Sequence, residues 1–515
     1  MGAAAHTTRN HTYARRRPEL TPCYRLVQEH LETFAAERAA EGRPLPRFVE
    51  KEFDAYLQCG IPAFGFLRLQ CNCCQDESVV AFSCKRRGFC PSCAAKRMIE
   101  SATHLVEDVL PLVPYRQFVL SLPIPLRYWI NANKKLSSKV HRITTKAVHR
   151  YYTSKAKQLG VKNPKPGSIT FTQRWGSALN LNPHQHILTA DGVYTTVNGA
   201  LQFRNLAAIT NDEVAALLTQ IASRIMRHLK KTGYLNEEGE LVETPTNEND
   251  GALFPDSESM KQATSASVRG MIAFGPNAGK YVTKIGSGFG YAEEVPVAKG
   301  QPCFTVNGFS LHANTSTNTH QRDRLSKLIE YMARGPLSNE RLEITDTGQV
   351  KLKTRWVDGT SHLLFTPGEF IEKLAVLVRP PRIHLVRWSG VFAPNSPYRK
   401  TITLKPENKK ARIRIAGKNE NCSASGSGDD ASTKPKTLHS SAWSRMLAQV
   451  FKIDVSICKK CGGDLAVVCA VNKAEEIARY LKHAKIDYEP PSRAPPRFRQ
   501  EEILDFADEA FEDQS

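Results

Sequence analysis

The chain has 515 residues, of which 41% are hydrophobic, and its 71 Lys and Arg residues outnumber its 51 Asp and Glu residues to give a formal net charge of +20. This length and composition predict about two to four domains with hydrophobic cores and exclude a chain that is disordered throughout. The positive charge favours a polyanionic partner. Because we find no apolar run long enough to span a bilayer and no secretory signal, we expect a nucleic acid and no membrane.

The N-terminal part is expected to be helical. Thr21 begins a helix with an apolar stripe, and Gly42 ends it. Further helices are predicted over residues 47–57 and 96–109. Together with the cysteines that lie between them, these helices predict a helical zinc-binding domain over residues 1–110.

Six of the 13 cysteines lie close together, between positions 71 and 93. Cys71 and Cys74 form one CxxC pair, and Cys90 and Cys93 form another. Two such pairs at this separation are typical of tetrahedral Zn²⁺ bound by four thiolates, although Cys84 could replace one of the four. The basic residues beside them indicate a structural zinc site that faces DNA: Lys85, Arg86 and Arg87.

The middle of the chain predicts strands mixed with helices, including a long basic helix over residues 131–159. Strands are expected at residues 115–122, 168–173, 184–194 and 280–285, and further helices at residues 211–231 and 321–334. Residues 238–266 are polar and rich in turn formers, which predicts a surface insertion.

Two histidines lie two positions apart in one of these strands. Because side chains alternate along a strand, His184 and His186 point to the same face and could share one divalent cation. The preceding strand forms a hairpin with this one, so a side chain of the partner strand could complete the site. We expect Gln173 to be that third ligand.

The helix predicted at residues 321–334 carries a tyrosine beside its apolar stripe, which consists of Leu325, Leu328, Ile329 and Met332. Tyr331 lies to one side of that stripe, where it should be exposed. Three cations share its side of the helix and could bind DNA: Arg324, Lys327 and Arg334. A tyrosine on an anchored helix, flanked by cations that can hold a phosphate, suits a nucleophile.

The C-terminal quarter predicts less regular structure. Residues 346–404 are expected to extend the middle domain, and residues 405–440, rich in Lys, Ser and Gly, predict a flexible linker. Residues 441–488 predict a small C-terminal unit. Residues 489–515 predict a disordered acidic tail.

The C-terminal unit contains a single CxxC pair, Cys458 and Cys461. Cys469 or Cys422 could complete a metal site there, but a second pair is missing. Zinc and a turn without metal therefore both stay open for this pair.

These stretches together resemble the HUH-endonuclease transposases of bacterial rolling-circle insertion sequences. The resemblance rests on FSCKRRGFCPSC, WGSALNLNPHQHILTADGVY, NGFSLHANTSTNTHQRDRLSKLIEYMARGPLSNERL and VFKIDVSICKKCGGDL, and it extends over residues 21–488. The founding members carry two tyrosines one helical turn apart, whereas position 335 is Gly here and position 327 is Lys. The chain therefore resembles the single-tyrosine branch. Gln185 replaces the usual hydrophobic residue between the histidines and would face away from them.

The resemblance implies an α+β fold in which residues 111–345 form the HUH-endonuclease domain, an antiparallel ferredoxin- or RRM-like sheet with helices on one face. It implies a Mg²⁺ or Mn²⁺ held by His184, His186 and a third ligand, and attack by Tyr331 on the scissile phosphate. The products would be a 5′-phosphotyrosine and a free 3′-OH. The implied activity is that of a DNA transposase, which nicks and rejoins single-stranded DNA in rolling-circle transposition.

The implied partners are single-stranded transposon ends and target DNA, with a host helicase or the replication machinery to separate the strands. The implied location is the bacterial cytoplasm, in association with the nucleoid. Three other functions stay open: an HUH replication initiator or relaxase, a catalytically inactive zinc-containing DNA-binding protein, and a transposase of the acidic-residue (DDE) type.

Overall fold

Helices and antiparallel strands are mixed along the chain in a computed structural model, which confirms the α+β class. The structure describes residues 17–242, 251–286, 303–356, 358–380, 383–404, 458, 460–486 and 489–497. The linker predicted at residues 405–440 lies outside the described residues.

Most of the described helices begin at a capping side chain or with a proline in the first turn. Thr210 and Thr366 each form a reciprocal capping pair with a glutamate three residues later. The helices are α1 (Pro22–Ala40), α2 (Arg47–Gln58), α3 (Pro91–His104), α4 (Ile124–Ala132), α5 (Lys134–Gln158), α6 (Asn211–Lys231), α7 (Glu258–Arg269), α8 (Arg322–Ala333), α9 (Pro367–Leu377), α10 (Arg399–Ile402) and α11 (Ala474–His483).

The described strands form four sheets, and every strand pair recorded in them is antiparallel. The strands are β1 (Phe66–Cys71), β2 (Glu77–Ala81), β3 (Tyr115–Ser121), β4 (Gly167–Trp175), β5 (Leu181–Ala190), β6 (Gly192–Val197), β7 (Ala200–Asn205), β8 (Thr283–Ile285), β9 (Cys303–Val306), β10 (Phe309–His312), β11 (Ser316–Thr317), β12 (Leu342–Ile344), β13 (Val350–Lys353), β14 (His362–Phe365), β15 (Val386–Gly390) and β16 (Leu465–Val471).

The largest sheet has seven strands, in the order β15-β4-β5-β3-β10-β9, with β11 also paired to β3. The predicted hairpin is its centre: β4 and β5 pair directly, and β3 lies on the other side of β5. β15 comes from much later in the chain and pairs with β4. The sheet is therefore assembled from three separate stretches of sequence around the strand that carries the histidines.

Helices cover both faces of this sheet, which corrects the prediction of helices on one face. On one face α5 and α6 pack against Phe118, Leu120 and Ile187. On the other face α8 packs against apolar residues of β4 and β5, among them Phe171 and Leu188. Consecutive residues of β5, such as Ile187 and Leu188, are apolar and point to opposite faces of the sheet. Both faces therefore have to be covered.

The N-terminal domain contains α1, α2 and α3 and a three-stranded sheet of order β16-β1-β2. β16 belongs to the predicted C-terminal unit, yet it pairs with β1 from Phe66, opposite Val471, to Cys71, opposite Leu465. α11 then packs Ile477 and Leu481 against Phe66 and Val471. The described part of the C-terminal unit thus completes the sheet and core of the N-terminal domain.

Residues 489–497 follow the surface of α1, which corrects the prediction of disorder for this part of the tail. Arg493 forms ion pairs with Glu32 and Asp54, at 3.0 and 2.6 Å, and Arg497 pairs with Glu29 at 3.0 Å. The sequence offers a reason, because between Glu489 and Glu501 the predicted tail carries basic residues and no acidic ones.

The region predicted as a surface insertion contains a buried helix, α7, which packs against α4 and α9. Its inward face carries small side chains besides Met260, such as Ala263 and Ala266. Small residues give a weak hydrophobic pattern, which is why the sequence did not reveal the helix. None of the described helices combines the length and the apolar character needed to span a membrane.

Candidate active site and cysteine clusters

The two histidines lie on the face of the central sheet that α8 covers. In the register of β3, β4 and β5, His184 lies between Gln173 and Ser121. The ring centroids of His184 and His186 are 4.8 Å apart. Gln185 lies opposite Thr172 and Leu120 and therefore points to the other face. The alternation of β5 thus brings both imidazoles, and Gln173 beside them, to one side of the sheet.

Hydrogen bonds fix the orientation of both imidazole rings. Nδ1–H of His184 donates to the backbone carbonyl of Asn182 at 2.7 Å, which leaves the lone pair of Nε2 free. Nδ1 of His186 lies 2.6 Å from Nε2 of Gln117, a residue of β3. Nε2 of His186 is buried and has no hydrogen-bond partner among the described residues. Buried nitrogens without partners are unusual and suit the binding of a cation.

Both rings are uncharged at neutral pH. Burial lowers the pKa of His184, and Arg334 adds to the effect. Burial is also the main cause for His186, followed by His184 and Arg334, and together they lower its pKa to about 3. A neutral imidazole keeps the lone pair that a metal ion requires.

Gln173 connects the histidine strands to the tyrosine helix. Its Nε2 donates to the backbone carbonyls of Tyr331 and Met332, each at 2.9 Å, and so binds the C-terminal end of α8. Its Oε1 is buried and has no hydrogen-bond partner in the described part of the chain. Two imidazole nitrogens and an amide oxygen on one face are donors that fit Mn²⁺ or Mg²⁺.

Tyr331 lies directly against the histidines. Its ring meets that of His186 edge-on, with centroids 5.6 Å apart, and its side chain is 48% exposed. Cζ of Arg334 lies 4.4 Å from the centroid of the tyrosine ring. Leu325, Ile329 and Met332 are buried beneath the helix. The arrangement holds an accessible hydroxyl-bearing ring beside two potential metal ligands and a cation.

The other predicted DNA-binding cations are exposed on two elements. Arg324 and Lys327 lie on the surface of α8, and Lys85, Arg86 and Arg87 form the loop before α3. α3 and α8 pack against each other. The two groups of cations are therefore carried by neighbouring elements of the structure.

The glycine after α8 leaves no space for a second tyrosine. A Cβ added at Gly335 would lie 2.4 Å from Cβ of Ala94 in α3. Position 335, one turn after Tyr331, is where the second tyrosine of a two-tyrosine enzyme would be expected. The packing of α3 against this position admits no side chain there, so Tyr331 stands alone in its helix turn.

Five of the six clustered cysteines, all except Cys73, divide between two sites, which corrects the predicted grouping of Cys71, Cys74, Cys90 and Cys93 around one ion. Cys90 and Cys93 converge with Cys59 and Cys84, whereas Cys71 and Cys74 converge with the two cysteines of the C-terminal pair. In each group the sulfurs all lie within 4.8 Å of one another. The sequence could not show this division, because Cys59 has no CxxC partner and the C-terminal pair is remote.

The first group, Cys59, Cys84, Cys90 and Cys93, fits zinc. Sγ of Cys59 lies 3.7 Å from those of Cys90 and Cys93, and Sγ of Cys84 lies 3.3 Å from that of Cys93. Hydrogen bonds from these neighbours, that of Cys59 first, hold the pKa of the Cys93 thiol well below its usual range. Four closed thiolate ligands are typical of a structural zinc site.

Comparison with known families gives two matches. Residues 167–400 match the family model "Putative transposase", and residues 26–122 match the family model "Transposase zinc-binding domain". The first match includes His184, His186 and Tyr331, and the second includes the whole first cysteine group. Neither the curated proteins nor the solved structures give a match. The predicted zinc-binding domain is thereby confirmed.

Proposed function

Because this chain belongs to the insertion-sequence transposases, with a transposase zinc-binding domain ahead of the transposase domain, we propose that it cuts and rejoins single-stranded DNA through a covalent bond to Tyr331. The observation that carries the proposal is the contact of the exposed Tyr331 ring with His186. The two residues come from different elements, and Gln173 holds them together.

His184, His186 and Gln173 would hold a divalent cation in this site. When bound, Mg²⁺ or Mn²⁺ supplies Lewis-acid polarisation of the scissile phosphate. A phenol ionises only near pH 10 in water, so a tyrosine needs such help to act as a nucleophile at neutral pH. Arg334, beside the tyrosine ring, is placed to neutralise a phosphate oxygen.

In the proposed reaction Oη of Tyr331 attacks the phosphorus atom and loses its proton to solvent. The bond from Oη to phosphorus forms while the bond from phosphorus to the 3′ oxygen breaks, and that oxygen leaves with the electron pair and takes up a proton. A 5′-phosphotyrosine and a free 3′-OH result. A 3′-OH of another strand can reverse the step, which joins new DNA without ATP.

The substrate class follows from the same proposal. Single strands at the element's ends and at the target would lie along the exposed cations of α8 and of the loop at Lys85, Arg86 and Arg87, where a polyanionic backbone is attracted. A host helicase or the replication machinery would supply these strands, and the work would take place on the bacterial nucleoid in rolling-circle transposition.

Incubation of the purified chain with single-stranded oligonucleotides labelled at the 3′ end and Mg²⁺ or Mn²⁺, followed by a denaturing protein gel, tests the proposal, because a 5′-phosphotyrosine keeps the 3′ part of the strand. We expect label to co-migrate with the wild-type chain and to be absent for Tyr331→Phe and His184→Ala. Tyr281→Phe is the matched control, because Tyr281 is 73% exposed and lies in another part of the chain. Labelling of the Tyr331→Phe variant would overturn the assignment of the nucleophile. Tight binding with no covalent product on any strand would favour a DNA-binding protein without catalysis.

A further inference from the structure

The second cysteine group draws its members from the two ends of the chain. Cys71 is the last residue of β1 and Cys74 follows it, whereas Cys458 and Cys461 precede β16. Sγ of Cys71 lies 3.5 Å from that of Cys461, at a sequence separation of 390 residues, and Sγ of Cys74 lies 3.6 Å from that of Cys458. Neither family match reaches residues 458–461.

These separations are those of a metal site. With zinc–sulfur bonds of about 2.3 Å, the sulfurs of a tetrahedral site lie about 3.8 Å apart, close to the observed distances. A disulfide bond would require about 2.05 Å, and all four cysteines are free. Four converging thiols without a bond between them suit a soft divalent ion, and zinc is the one that takes this ligand set most often.

The backbone around the sulfurs favours thiolates. The amide N–H groups of Cys73, Lys460 and Gly463 donate to the sulfurs of Cys71, Cys458 and Cys461, each at 3.4 Å. Hydrogen bonds to a sulfur stabilise its charged form. Both CxxC pairs therefore have the same turn, in which the amide two residues after a cysteine points back to its sulfur.

The two CxxC turns pack so closely that the positions after Cys461 require glycine. A Cβ added at Gly463 would lie 2.7 Å from Sγ of Cys73 and 3.3 Å from Sγ of Cys461. Gly462 has a φ of +74°, which an L side chain rarely adopts. The CKKCGG sequence thus fits a turn that must come close to another cysteine turn.

The sheet positions the two turns independently of the sulfurs. The β1–β16 pairing extends to Cys71, opposite Leu465, and the amide of Asn72 donates to the carbonyl of Asp464 at 2.9 Å. Leu69 and Leu465 are buried beside the cysteines in the same small core. Cysteines brought together by packing on a paired edge need little ordering to bind an ion.

We propose that Cys71, Cys74, Cys458 and Cys461 bind a second structural Zn²⁺, which fastens the C-terminal segment to the N-terminal domain. On binding, the thiols release their protons to solvent and the four sulfurs close the coordination shell. No position is left for water or substrate, so the site stabilises the structure and takes no part in the strand reaction.

The zinc content of the purified full-length chain, measured by mass spectrometry of the metal, tests this inference. We expect about two zinc ions per wild-type chain and about one for Cys458→Ser/Cys461→Ser and for Cys90→Ser/Cys93→Ser. Cys469→Ser is the control, because Cys469 is exposed on β16 outside both groups, and it should keep both ions. One zinc in the wild type, or an unchanged content in Cys458→Ser/Cys461→Ser, would overturn the proposal.

Cobalt substitution gives a second measurement that needs no variant. Two tetrathiolate sites bind two Co²⁺ per wild-type chain, and the sulfur-to-cobalt absorption per chain should be about twice that of a single site. Alkylation followed by peptide mass spectrometry completes the test. A disulfide between the two cysteine pairs in the freshly purified chain would exclude the second zinc site.

Discussion

At the scale of single residues, His186 is held by neighbours from three elements: Gln117 of β3, His184 of β5 and Tyr331 of α8. A metal ion on its Nε2 would require the proton on Nδ1, and Gln117 must then present its amide oxygen to that N–H. The sequence offered His184, His186 and Tyr331 as candidates through their spacing. Gln117 could not be found this way, because it meets His186 only through the pairing of β3 with β5.

Gln117→Leu should weaken the binding of a divalent cation at the proposed site, because His186 loses the partner that orients its ring. Loss of a partner that orients a metal-binding imidazole typically lowers metal affinity or activity by about 10- to 100-fold. The measurement is strand cleavage as a function of Mn²⁺ concentration. Gln117→Glu keeps an acceptor and should stay close to the wild type, whereas an unchanged Mn²⁺ requirement in Gln117→Leu would contradict the role.

Arg334→Gln should slow cleavage without preventing it. The variant removes a charged hydrogen bond to phosphate of about 1.5–3 kcal/mol, so we expect single-turnover rates about 10- to 150-fold lower. Arg269→Gln removes the same charge from the exposed end of α7 and serves as the control. Equal slowing in both variants would mean that only the overall charge matters.

At the scale of elements, the packing of α3 on α8 joins the zinc-binding domain to the tyrosine helix. Gly335→Ala would place its Cβ against Ala94, one residue after Cys93. Overpacking of this kind costs about 1–3 kcal/mol, and we expect a lower melting temperature. The double variant Ala94→Gly/Gly335→Ala should recover part of the loss. Additive losses in the double variant would show that the two positions do not interact.

Two histidines of α5 lie beneath the sheet and predict sensitivity to acid. Burial lowers the pKa of His149 to about 4; burial, Arg387 and His149 lower that of His141 to about 4. Because these values are below the unfolded pKa of about 6.5, the unfolded chain binds protons first. Stability is thus complete above about pH 6.5 and is lost as the pH falls towards 4, by about 2 kcal/mol per histidine at pH 5.

The variant His149→Gln tests this origin, because a glutamine stays neutral and can still reach Ser168, whose hydroxyl lies 2.8 Å from Nε2 of His149. Thermal unfolding at pH 7.5 and pH 5.0 should show a smaller loss in the variant than in the wild type. Comparing the two chains cancels the effect of acid on the cysteine sites. An identical loss would show that His149 does not contribute.

Helices with a strong apolar stripe could be predicted well from the sequence. The observed α1, α2, α5, α6 and α8 begin and end within three residues of the predicted positions. α7 was missed because its buried residues are small. The position of α8 on the second face of the sheet was not predicted, because burial on both faces leaves no alternation along the strands. Periodicity reports which side of an element is buried, but not what buries it.

At the scale of the whole molecule, the described C-terminal segments pack against the N-terminal domain. β16, α11 and residues 489–497 all contact the N-terminal domain, through the β1 edge, the core around Phe66 and the ion pairs on α1. The sequence predicted a separate C-terminal unit, because pairing between strands at opposite ends of the chain leaves no local signal. The large sequence separation is also the reason why Cys71 and Cys74 could not be recognised as the partners of Cys458 and Cys461.

A chain that ends at residue 440 should lose protection along β1. Without β16, the amides that face it become an open sheet edge, and hydrogen exchange of the peptide covering Phe66–Cys71 should become faster. A chain that ends at residue 497 keeps every C-terminal contact described above and is the matched control. Unchanged exchange in the shorter chain would show that β1 is held by other contacts.

The β1–β16 pairing also determines when the protein can finish folding during synthesis. The ribosome must add the 390 residues that separate Cys71 from Cys461 before the edge of β1 can be covered. At about 5–20 residues per second this takes about 20 to 80 s, during which an unpaired edge strand and two cysteines are exposed to other chains. A transcript that stops early, even one encoding the entire transposase domain, therefore yields a nascent chain with an open edge, which favours aggregation or degradation.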